Sequence, residues 1–163
     1  VYICNVDENS ALSGNEYTKK IDEYAKENNS EVLLISAKIE SEISQISDMQ
    51  DKQDFLESLG LKETGLKRVI KKGYEILNYI NYFTAGEKEL RAWTIVKGTF
   101  APSAAGTIHS DMEKGFIRAE TISYDDYIAN NGEAGAKEKG KLRLEGKEYE
   151  VKDGDVMHFL FNV

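Results

Sequence analysis

Apolar residues in the first part of the chain predict a strand, a helix and a second strand. Val1–Val6 is a short β-branched run that is apolar on both faces, as in a strand buried in a parallel sheet. Apolar residues recur at helical spacing over Asn15–Asn29, and Val32–Ile35 is a second apolar run. This order predicts half of a doubly wound α/β sheet, in which ligands bind in the loops that follow the strands. Those loops are Asn5–Glu8 and Ser36–Lys38.

Three further apolar stripes at helical spacing predict three helices before residue 80. The second helix ends at Gly60 and the third at about Tyr79. The pattern changes from helical to alternating near residue 80, and we place a domain boundary there, between residues 1–80 and 81–163. The stripes consist of Ile39, Ile43 and Ile46, of Phe55, Leu56 and Leu59, and of Leu66, Val69, Ile70, Ile76 and Leu77.

Alternating aromatic and β-branched residues predict a mixed sheet over one helix in residues 81–163. Tyr82–Thr84 and Leu90–Val96 form a hairpin around a turn at Ala85–Lys88. Further elements are a helix over Ala104–Glu113 closed by Gly115, strands at Phe116–Ile122, Glu148–Val151 and Val156–Asn162, a helix at Tyr124–Asn130 that Ser123 and Asp126 cap, and a turn at Lys152–Asp155. The predicted core is Trp93, Ile95, Ile108, Phe116, Ile122, Val151, Phe159 and Phe161.

Composition places the chain among globular proteins, with 40% hydrophobic and 31% charged residues in 163. A single cysteine, Cys4, excludes a disulfide framework, and its apolar strand predicts an inert core thiol. No apolar stretch reaches the roughly 18 residues of a membrane helix, so we expect a cytoplasmic protein. The net charge of −8 argues against binding polyanions over the whole surface. Because the chain begins at Val1, inside an apolar run, we expect further sequence upstream.

Polar residues directly follow both predicted parallel strands. In P-loop GTPases an Asn-Lys-x-Asp loop and a Ser-Ala-Lys loop stand at successive strand ends and enclose the base. Here Asn5 and Ser36–Lys38 keep that arrangement, whereas Val6 replaces the lysine and Glu8 the aspartate. The longer acid displaces the carboxylate that pairs with the guanine edge, so guanine selectivity is not expected. The first loop alone favours an ordinary turn, but two such loops at consecutive strand ends favour a nucleotide site.

Short segments distributed along the whole chain match the motifs of one known family. They are Asn5–Glu8, Gly73–Leu77, Tyr82–Gly86, Arg91–Ile95, Ala101-Pro102, Ala104–Gly106, Ile108-His109, Gly115–Ala119, Lys152–Val156 and Phe161–Val163. Through these segments the sequence resembles the YchF/Obg-like ATPases over essentially its whole length. That resemblance implies that residues 1–80 end a P-loop nucleotide-binding domain and that 81–163 form a TGS domain, a ubiquitin-like β-grasp module. It also implies that Asn5 and Glu8 belong to an Asn-x-x-Glu motif that prefers ATP over GTP, and that Val6 packs near the adenine.

The sequence contains no glycine-rich phosphate loop followed by Lys and Ser or Thr, and no switch segment. The chain by itself is therefore expected to bind no cofactor and to lack catalytic residues, metal ligands and ATPase activity. ATP or GTP with Mg²⁺ is expected only in the intact parent. The resemblance implies that Asn5, Val6, Glu8, Ser36, Ala37 and Lys38 line the base pocket there.

Two basic clusters are candidate contacts with RNA. Lys67, Arg68, Lys71 and Lys72 lie on one predicted helix and are interpreted as a solvated face. For Lys137, Lys139, Lys141 and Arg143 a solvated face and a contact with RNA or the ribosome both stay open, because the resemblance implies a ribosome-associated parent.

The two histidines are better explained without catalysis or metal binding. For His109 a surface or capping role is expected, because no Ser, Cys or second His accompanies it. His158 is expected to face solvent from the last strand.

Two functions follow as hypotheses. The first is the C-terminal part of a ribosome-associated, nucleotide-binding ATPase of the YchF type. The alternative is a β-grasp module without enzymatic activity that binds RNA or protein. A phosphate loop upstream of Val1 would decide for the enzyme.

Overall fold

The structure is a computed structural model that describes residues 1–86 and 89–162. The chain divides into two compact units, Val1–Gly73 and Tyr74–Val163. Glu87 and Lys88 of the predicted hairpin turn, and Val163 of the last matching segment, lie outside the described residues. Within the described ranges, no helix is both long enough and apolar enough to cross a bilayer.

The first unit contains the predicted strand, helix and strand. Strands β1 (Tyr2–Asn5) and β2 (Val32–Ile35) pair in parallel, with Tyr2 opposite Val32 and Asn5 opposite Ile35. Helix α1 (Glu16–Glu27) connects them. Because both strands run in the same direction, their carboxyl ends lie side by side, and the loops that follow them meet at one edge.

Helix α1 begins where its sequence supplies a complete cap. The Asn15 side chain accepts hydrogen bonds from the backbone N–H groups of Tyr17 and Thr18, and the Thr18 hydroxyl accepts one from the Asn15 N–H. These bonds satisfy backbone donors that have no partner inside the helix.

Three helices follow, and two of them bury the predicted apolar stripes. They are α2 (Ala37–Gln45), α3 (Met49–Ser58) and α4 (Gly65–Ile76). Ile39, Ile43 and Leu56 are buried with Ala11 and Leu61, and Val6, Phe55 and Leu59 pack against that cluster. The stripe of α4 differs, because Leu66, Ile70, Ile76 and Leu77 are exposed.

The prediction that the first strand is buried is wrong in this structure. Tyr2 and Ile3 are 37% and 47% exposed. Among the described residues, β1 and β2 form a sheet of only two strands, so each strand has one edge without a neighbouring strand. Cys4 is accordingly half-buried and is not a core thiol.

The second unit is a five-stranded mixed sheet in the order β4-β3-β7-β5-β6. Strand β3 pairs antiparallel with β4, as the hairpin prediction required, and parallel with β7. Strand β5 pairs antiparallel with both β7 and β6. The elements are β3 (Tyr79–Ala85), β4 (Leu90–Val96), α5 (Ala101–Ile108), α6 (Ser110–Lys114), β5 (Phe116–Ser123), α7 (Tyr124–Ala129), α8 (Glu133–Glu138), β6 (Arg143–Glu145) and β7 (Asp155–Phe161).

Helix α5 packs against one face of this sheet and closes the second core. Tyr82 is completely buried there, and its hydroxyl donates to the Ala104 carbonyl oxygen at 2.8 Å. Of the predicted core, Ile95, Phe116, Ile122, Val151 and Phe159 are buried, and Trp93 and Ile108 pack partly buried against the cluster. Phe161 is 38% exposed and was wrongly assigned to the core. It ends the last strand, where fewer neighbours cover a side chain.

Two predicted elements of the second unit are wrong. The helix predicted over Ala104–Glu113 is two helices, α5 and α6, because His109 between them has an extended backbone. The strand predicted at Glu148–Val151 is a single bridge from Glu150 to Phe100. The unpredicted α8 contains a glycine, and two of the three residues of the unpredicted β6 are charged, so neither element has a clear local signal in the sequence.

A buried aspartate organises the segment before the last strand. Asp155 is 3% exposed and accepts hydrogen bonds from the Tyr149 hydroxyl at 2.7 Å and the Lys152 N–H at 2.9 Å. The Arg143 guanidinium lies 3.5 Å from the same carboxylate. One side chain thus holds Arg143, Tyr149 and Lys152 together, and these three groups compensate the buried charge of its carboxylate.

Alkaline pH is expected to destabilise the second unit through two tyrosines. Burial raises the pKa of Tyr82 to about 12. Burial and the hydrogen bond to Asp155 raise the pKa of Tyr149 to about 12. In the unfolded chain the pKa of a tyrosine is about 10. The stability that comes from keeping these two hydroxyls protonated is therefore complete below pH 10 and is lost as the pH rises through about 12. Half-buried Tyr149 contributes less.

The measurement is an alkaline titration of tyrosinate absorbance in the native chain. Two tyrosines are expected to ionise late, and Tyr82→Phe and Tyr149→Phe should each remove one of these late steps. A single early ionisation of all nine tyrosines would contradict this assignment.

Candidate functional site

A hydrogen bond between side chain and backbone joins the loops at the two strand ends. The Asn5 carboxamide oxygen accepts from the Ala37 N–H at 3.0 Å, between residues 32 positions apart. Asn5 is the last residue of β1, and Ala37 is the first of α2. The Asn5 side chain therefore ties the two loops together.

Glu8 and Lys38 lie at the same edge and form an ion pair. Their carboxylate and ammonium groups are 2.7 Å apart, and Glu42 lies 3.9 Å from the same ammonium. The hydrogen bond to Glu8 raises the pKa of Lys38 above its ordinary value, with a smaller contribution from the charge of Glu42. Glu8 and Lys38 are both exposed, so their ion pair contributes little to stability. It fixes the orientation of two charged groups beside the bond between Ala37 and Asn5.

The two residues between Asn5 and Glu8 serve the local structure. The Val6 N–H donates to the Ile35 carbonyl oxygen at 2.8 Å, and the Val6 side chain packs against the first core. The Asp7 carboxylate accepts from the Ser10 N–H at 2.9 Å and begins a short 3-10 turn, Glu8–Ser10. Asp7 is thus used as a cap, whereas Glu8 pairs with Lys38 at the edge.

Ser36 precedes α2 and is 3% exposed. Its hydroxyl has no hydrogen-bond partner in the described part of the chain. Further along α2, the Glu40 carboxylate accepts from the Gly65 and Leu66 N–H groups at 2.6 and 3.3 Å. Glu40 therefore fastens the beginning of α4 to the helix that carries Ala37 and Lys38.

This edge brings an amide, a carboxylate and an ammonium group together within one loop pair. Such groups recognise the polar rim of a planar base by hydrogen bonds. In residues 1–86 and 89–162 no three His, Cys, Asp or Glu side chains cluster as metal ligands.

The basic segment after α7 is only partly available for a partner. Lys137 and Lys139 are exposed, at the end of α8. Lys141 lies 3.2 Å from the Asp126 carboxylate, and it contributes to lowering the pKa of that carboxyl, after the larger effect of Ser123. Arg143 pairs with Glu145 at 2.9 Å. Two of the four cations therefore already have acidic partners.

The basic cluster on α4 is used within the first unit. Lys67 and Lys71 lie 3.8 and 2.7 Å from the Glu63 carboxylate. Lys72 lies 2.9 Å from Glu31. The Arg68 guanidinium donates to the Leu34 carbonyl oxygen at 2.6 Å. These contacts account for the cluster without a nucleic acid.

The histidines occupy the predicted kinds of position. The His109 Nδ1 atom accepts from the Asp111 N–H at 3.2 Å and caps α6, and His158 is exposed on β7. The surface around Phe83 and Tyr124, where Tyr124 is 51% exposed, was not predicted from the sequence. The hairpin carries apolar residues on both of its faces, Tyr82 and Trp93 on one and Phe83 and Ala92 on the other. This pattern could have indicated a second apolar surface.

Comparison with known proteins identifies the family. Residues 79–162 match the family model YchF-GTPase_C, described as a protein of unknown function (DUF933). The "Ribosome-binding ATPase YchF" of Bacillus subtilis (strain 168) is 57% identical over 165 residues, which cover 100% of this chain and 45% of that protein. The protein of the same name from Haemophilus ducreyi is 55% identical over 163 residues, which cover 100% of this chain and 44% of that protein.

A solved structure agrees over nearly the whole chain. The Schizosaccharomyces pombe YchF GTPase superposes with a TM-score of 0.84 at 34% identity and covers 98% of this chain and 43% of that one. The chain thus spans less than half the length of the curated relatives it matches. With the family model, the relatives and the superposed fold in agreement, this chain belongs to the YchF family.

Proposed function

We propose that this chain is the C-terminal part of a ribosome-associated ATPase and carries its base-recognition loops and a TGS domain. The observation that carries the proposal is the bond from the Ala37 N–H to Asn5, which joins two parallel strand ends beside the Glu8–Lys38 pair. The printed names of the relatives, ribosome-binding ATPases, support it.

The sheet order of the second unit supports a β-grasp module. The two central strands, β3 and β7, are parallel, an antiparallel strand flanks each of them, and α5 packs on one face. This unit contains no catalytic constellation in its described residues, and we assign it a binding role. The proposed domains remain 1–80 and 81–163.

The acid at the strand end supports a preference for ATP over GTP. Guanine presents an imino and an amino donor, which a well-placed carboxylate accepts together, whereas the adenine edge presents only one donor. The Glu8 carboxylate lies 2.7 Å from the Lys38 ammonium, so its charge is already compensated. Val6, whose side chain packs against the first core, places an apolar residue where the guanine loop has a lysine.

The residues present suit the base and not the triphosphate. Asn5, Val6, Glu8, Ser36, Ala37 and Lys38 would hold the base of ATP, or of GTP, in the intact parent. The phosphates and Mg²⁺ need a glycine-rich loop and its lysine, which this sequence lacks. When bound, the nucleotide supplies the phosphoanhydride that is hydrolysed, and the residues of this chain only orient its base.

Val6→Lys combined with Glu8→Asp in the intact parent is expected to shift binding from ATP towards GTP. The shorter acid restores the carboxylate position that accepts from both guanine donors, which is worth about 1–3 kcal/mol of discrimination. Competition of ATP and GTP against a fluorescent nucleotide measures the affinity ratio.

Glu42→Asp is the matched control for this test, because Glu42 also faces Lys38 but lies one helical turn further along α2. It should leave the affinity ratio unchanged. If the double variant also keeps the ratio of the parent, the backbone of the loop selects the base and this acid does not.

We propose the exposed cations after α7 as the contact with ribosomal RNA. Replacing Lys137, Lys139, Lys141 and Arg143 by Gln in the intact parent should weaken ribosome co-sedimentation, most strongly at low salt, because each phosphate contact releases counterions. Replacing Lys67 and Lys71 by Gln is the control, since these lysines pair with Glu63. Sedimentation that does not change at any salt concentration would remove this segment from the binding site.

A further inference from the structure

An open apolar groove lies on the face of the second sheet opposite α5. Tyr82 and Trp93 are paired across β3 and β4 and belong to the core side. The next pair along the strands, Phe83 and Ala92, therefore points to the other face. There the sheet and α7 enclose a groove of about 350 Å³, here called the Phe83 groove. Its apolar lining includes Phe83, Leu90, Ala92, Tyr124, Ile128 and Val156.

The apolar side chains of the Phe83 groove are unusually exposed. Leu90, Tyr124 and Ile128 are 78%, 51% and 56% exposed, and the Phe83 and Tyr124 rings pack 6.1 Å apart at its floor. Contiguous apolar surface of this kind is favourable to cover, because each side chain removed from water stabilises the complex. The groove is therefore suited to receive an apolar anchor side chain.

Carboxylates stand at one end of the groove. Asp125 and Asp153 line a polar cleft that shares Phe83 and Tyr124 with it. The cation that contributes to the groove lining, Arg91, has its guanidinium 4.1 Å above the Trp93 ring, on the core side. The end of the groove is thus acidic, as is the whole chain with its net charge of −8.

We propose that the Phe83 groove binds a basic protein segment that carries a large apolar side chain. The apolar side chain fills the groove, and lysines or arginines beside it lie near Asp125 and Asp153. Nucleic acid does not fit this charge pattern, because its phosphates would meet the two carboxylates. The inference goes beyond nucleotide and ribosome binding and depends on neither.

The test uses a synthetic peptide, Lys-Lys-Leu-Phe-Lys-Lys, and the isotope-labelled 163-residue chain. Amide chemical shifts of Phe83, Ala92 and Ile128 should move and saturate as peptide is added. The peptide Lys-Lys-Ala-Ala-Lys-Lys has the same charge and no anchor, and it should produce no saturable shift. Binding should weaken as salt is added, because the carboxylates are exposed to solvent.

Matched variants locate the site. Ile128→Asn should weaken peptide binding about tenfold, as expected for a side chain in the centre of an interface. Ile117→Asn is its control, because Ile117 is 55% exposed, against 56% for Ile128, and does not line the groove. Leu90→Asn is a second variant in the groove lining and should also weaken peptide binding. Because Leu90 is 78% exposed, its replacement should not impair folding.

The acidic end has its own pair of variants. Asp125→Asn should weaken binding about threefold and flatten its salt dependence, as for an exposed ion pair. Glu148→Gln removes an exposed acid that does not line the groove and should change neither quantity.

Three results would overturn the proposal. The first is the absence of saturable shifts, or equal shifts with the alanine peptide. The second is an oligouridine that moves the same amides, which would make the groove a nucleic-acid site. The third is self-association of the chain that Ile128→Asn abolishes, which would make a second copy the occupant.

Discussion

Tyr82→Ala is expected to lower the free energy of unfolding of the second unit by about 3–5 kcal/mol, enough to unfold a domain of ordinary stability. The side chain is completely buried. Its ring stacks on Trp93 at 6.5 Å and meets the edge of Phe159 at 5.7 Å. Truncation would leave a cavity between the sheet and α5, and close-packed neighbours refill such a cavity only in part.

Tyr82→Phe is the matched control, because it removes only the hydroxyl. The Ala104 carbonyl oxygen still accepts from the Thr107 hydroxyl at 2.7 Å, so the expected loss is about 1 kcal/mol. Urea unfolding followed by tryptophan fluorescence measures both variants, and the single tryptophan, Trp93, reports on the second unit alone. Equal losses for the two variants would show that the ring does not hold this core together.

Asp155→Ala is expected to destabilise the second unit by about 2–3 kcal/mol, because two hydrogen-bond donors and a guanidinium group lose a charged acceptor. The Lys152 N–H and the Tyr149 hydroxyl would both lose their acceptor. The Arg143 guanidinium would lose a carboxylate 3.5 Å away. The segment between β6 and β7 is then expected to open before the rest of the sheet.

Asp153→Ala, two residues earlier in the same turn, is the comparison. Asp153 is exposed and accepts one hydrogen bond, from the Asn81 N–H at 2.8 Å, so a loss of about 1 kcal/mol is expected. Thermal melts and hydrogen exchange of Val151 and Lys152 measure the two effects. If Asp155→Ala melts like Asp153→Ala, the buried carboxylate does not organise the segment.

The elements that the sequence predicted well are those with a local signal. The hairpin of β3 and β4 alternates aromatic and β-branched residues, and the helix α7 begins at a serine whose hydroxyl accepts from the Asp126 N–H. Asn15 and Thr18 are close in sequence, and they cap α1. In each case the residues that decide the structure lie within a few positions of one another.

The elements that the sequence missed depend on distant partners. Strand β6 forms because Arg143 pairs with Thr121 of β5, and its own residues include too many charges to predict a strand. Residues near Glu150 were expected to form a strand, but only one bridge to Phe100 is available to them. Hydrogen-bond partners across a sheet are a tertiary property that propensity does not contain.

The candidate site shows the same division. The residue types at the two strand ends identified Asn5, Glu8, Ser36 and Lys38 as candidates, because parallel strands bring their carboxyl ends together. The bond from Ala37 to Asn5 and the pairing of Glu8 with Lys38 required coordinates. Which member of the pair Asp7 and Glu8 caps the local turn was also decided by geometry.

By itself, the sequence determined the strand–helix–strand order of the first unit, the hairpin of the second and the resemblance to one family. It did so because apolar periodicity, caps and motifs are written in neighbouring residues. Tertiary structure alone decided that Tyr82 is buried while Phe83, beside it, opens onto a groove, and that Asp155 is surrounded by three donors. Burial and charge compensation depend on which distant surfaces meet, and a linear pattern does not specify them.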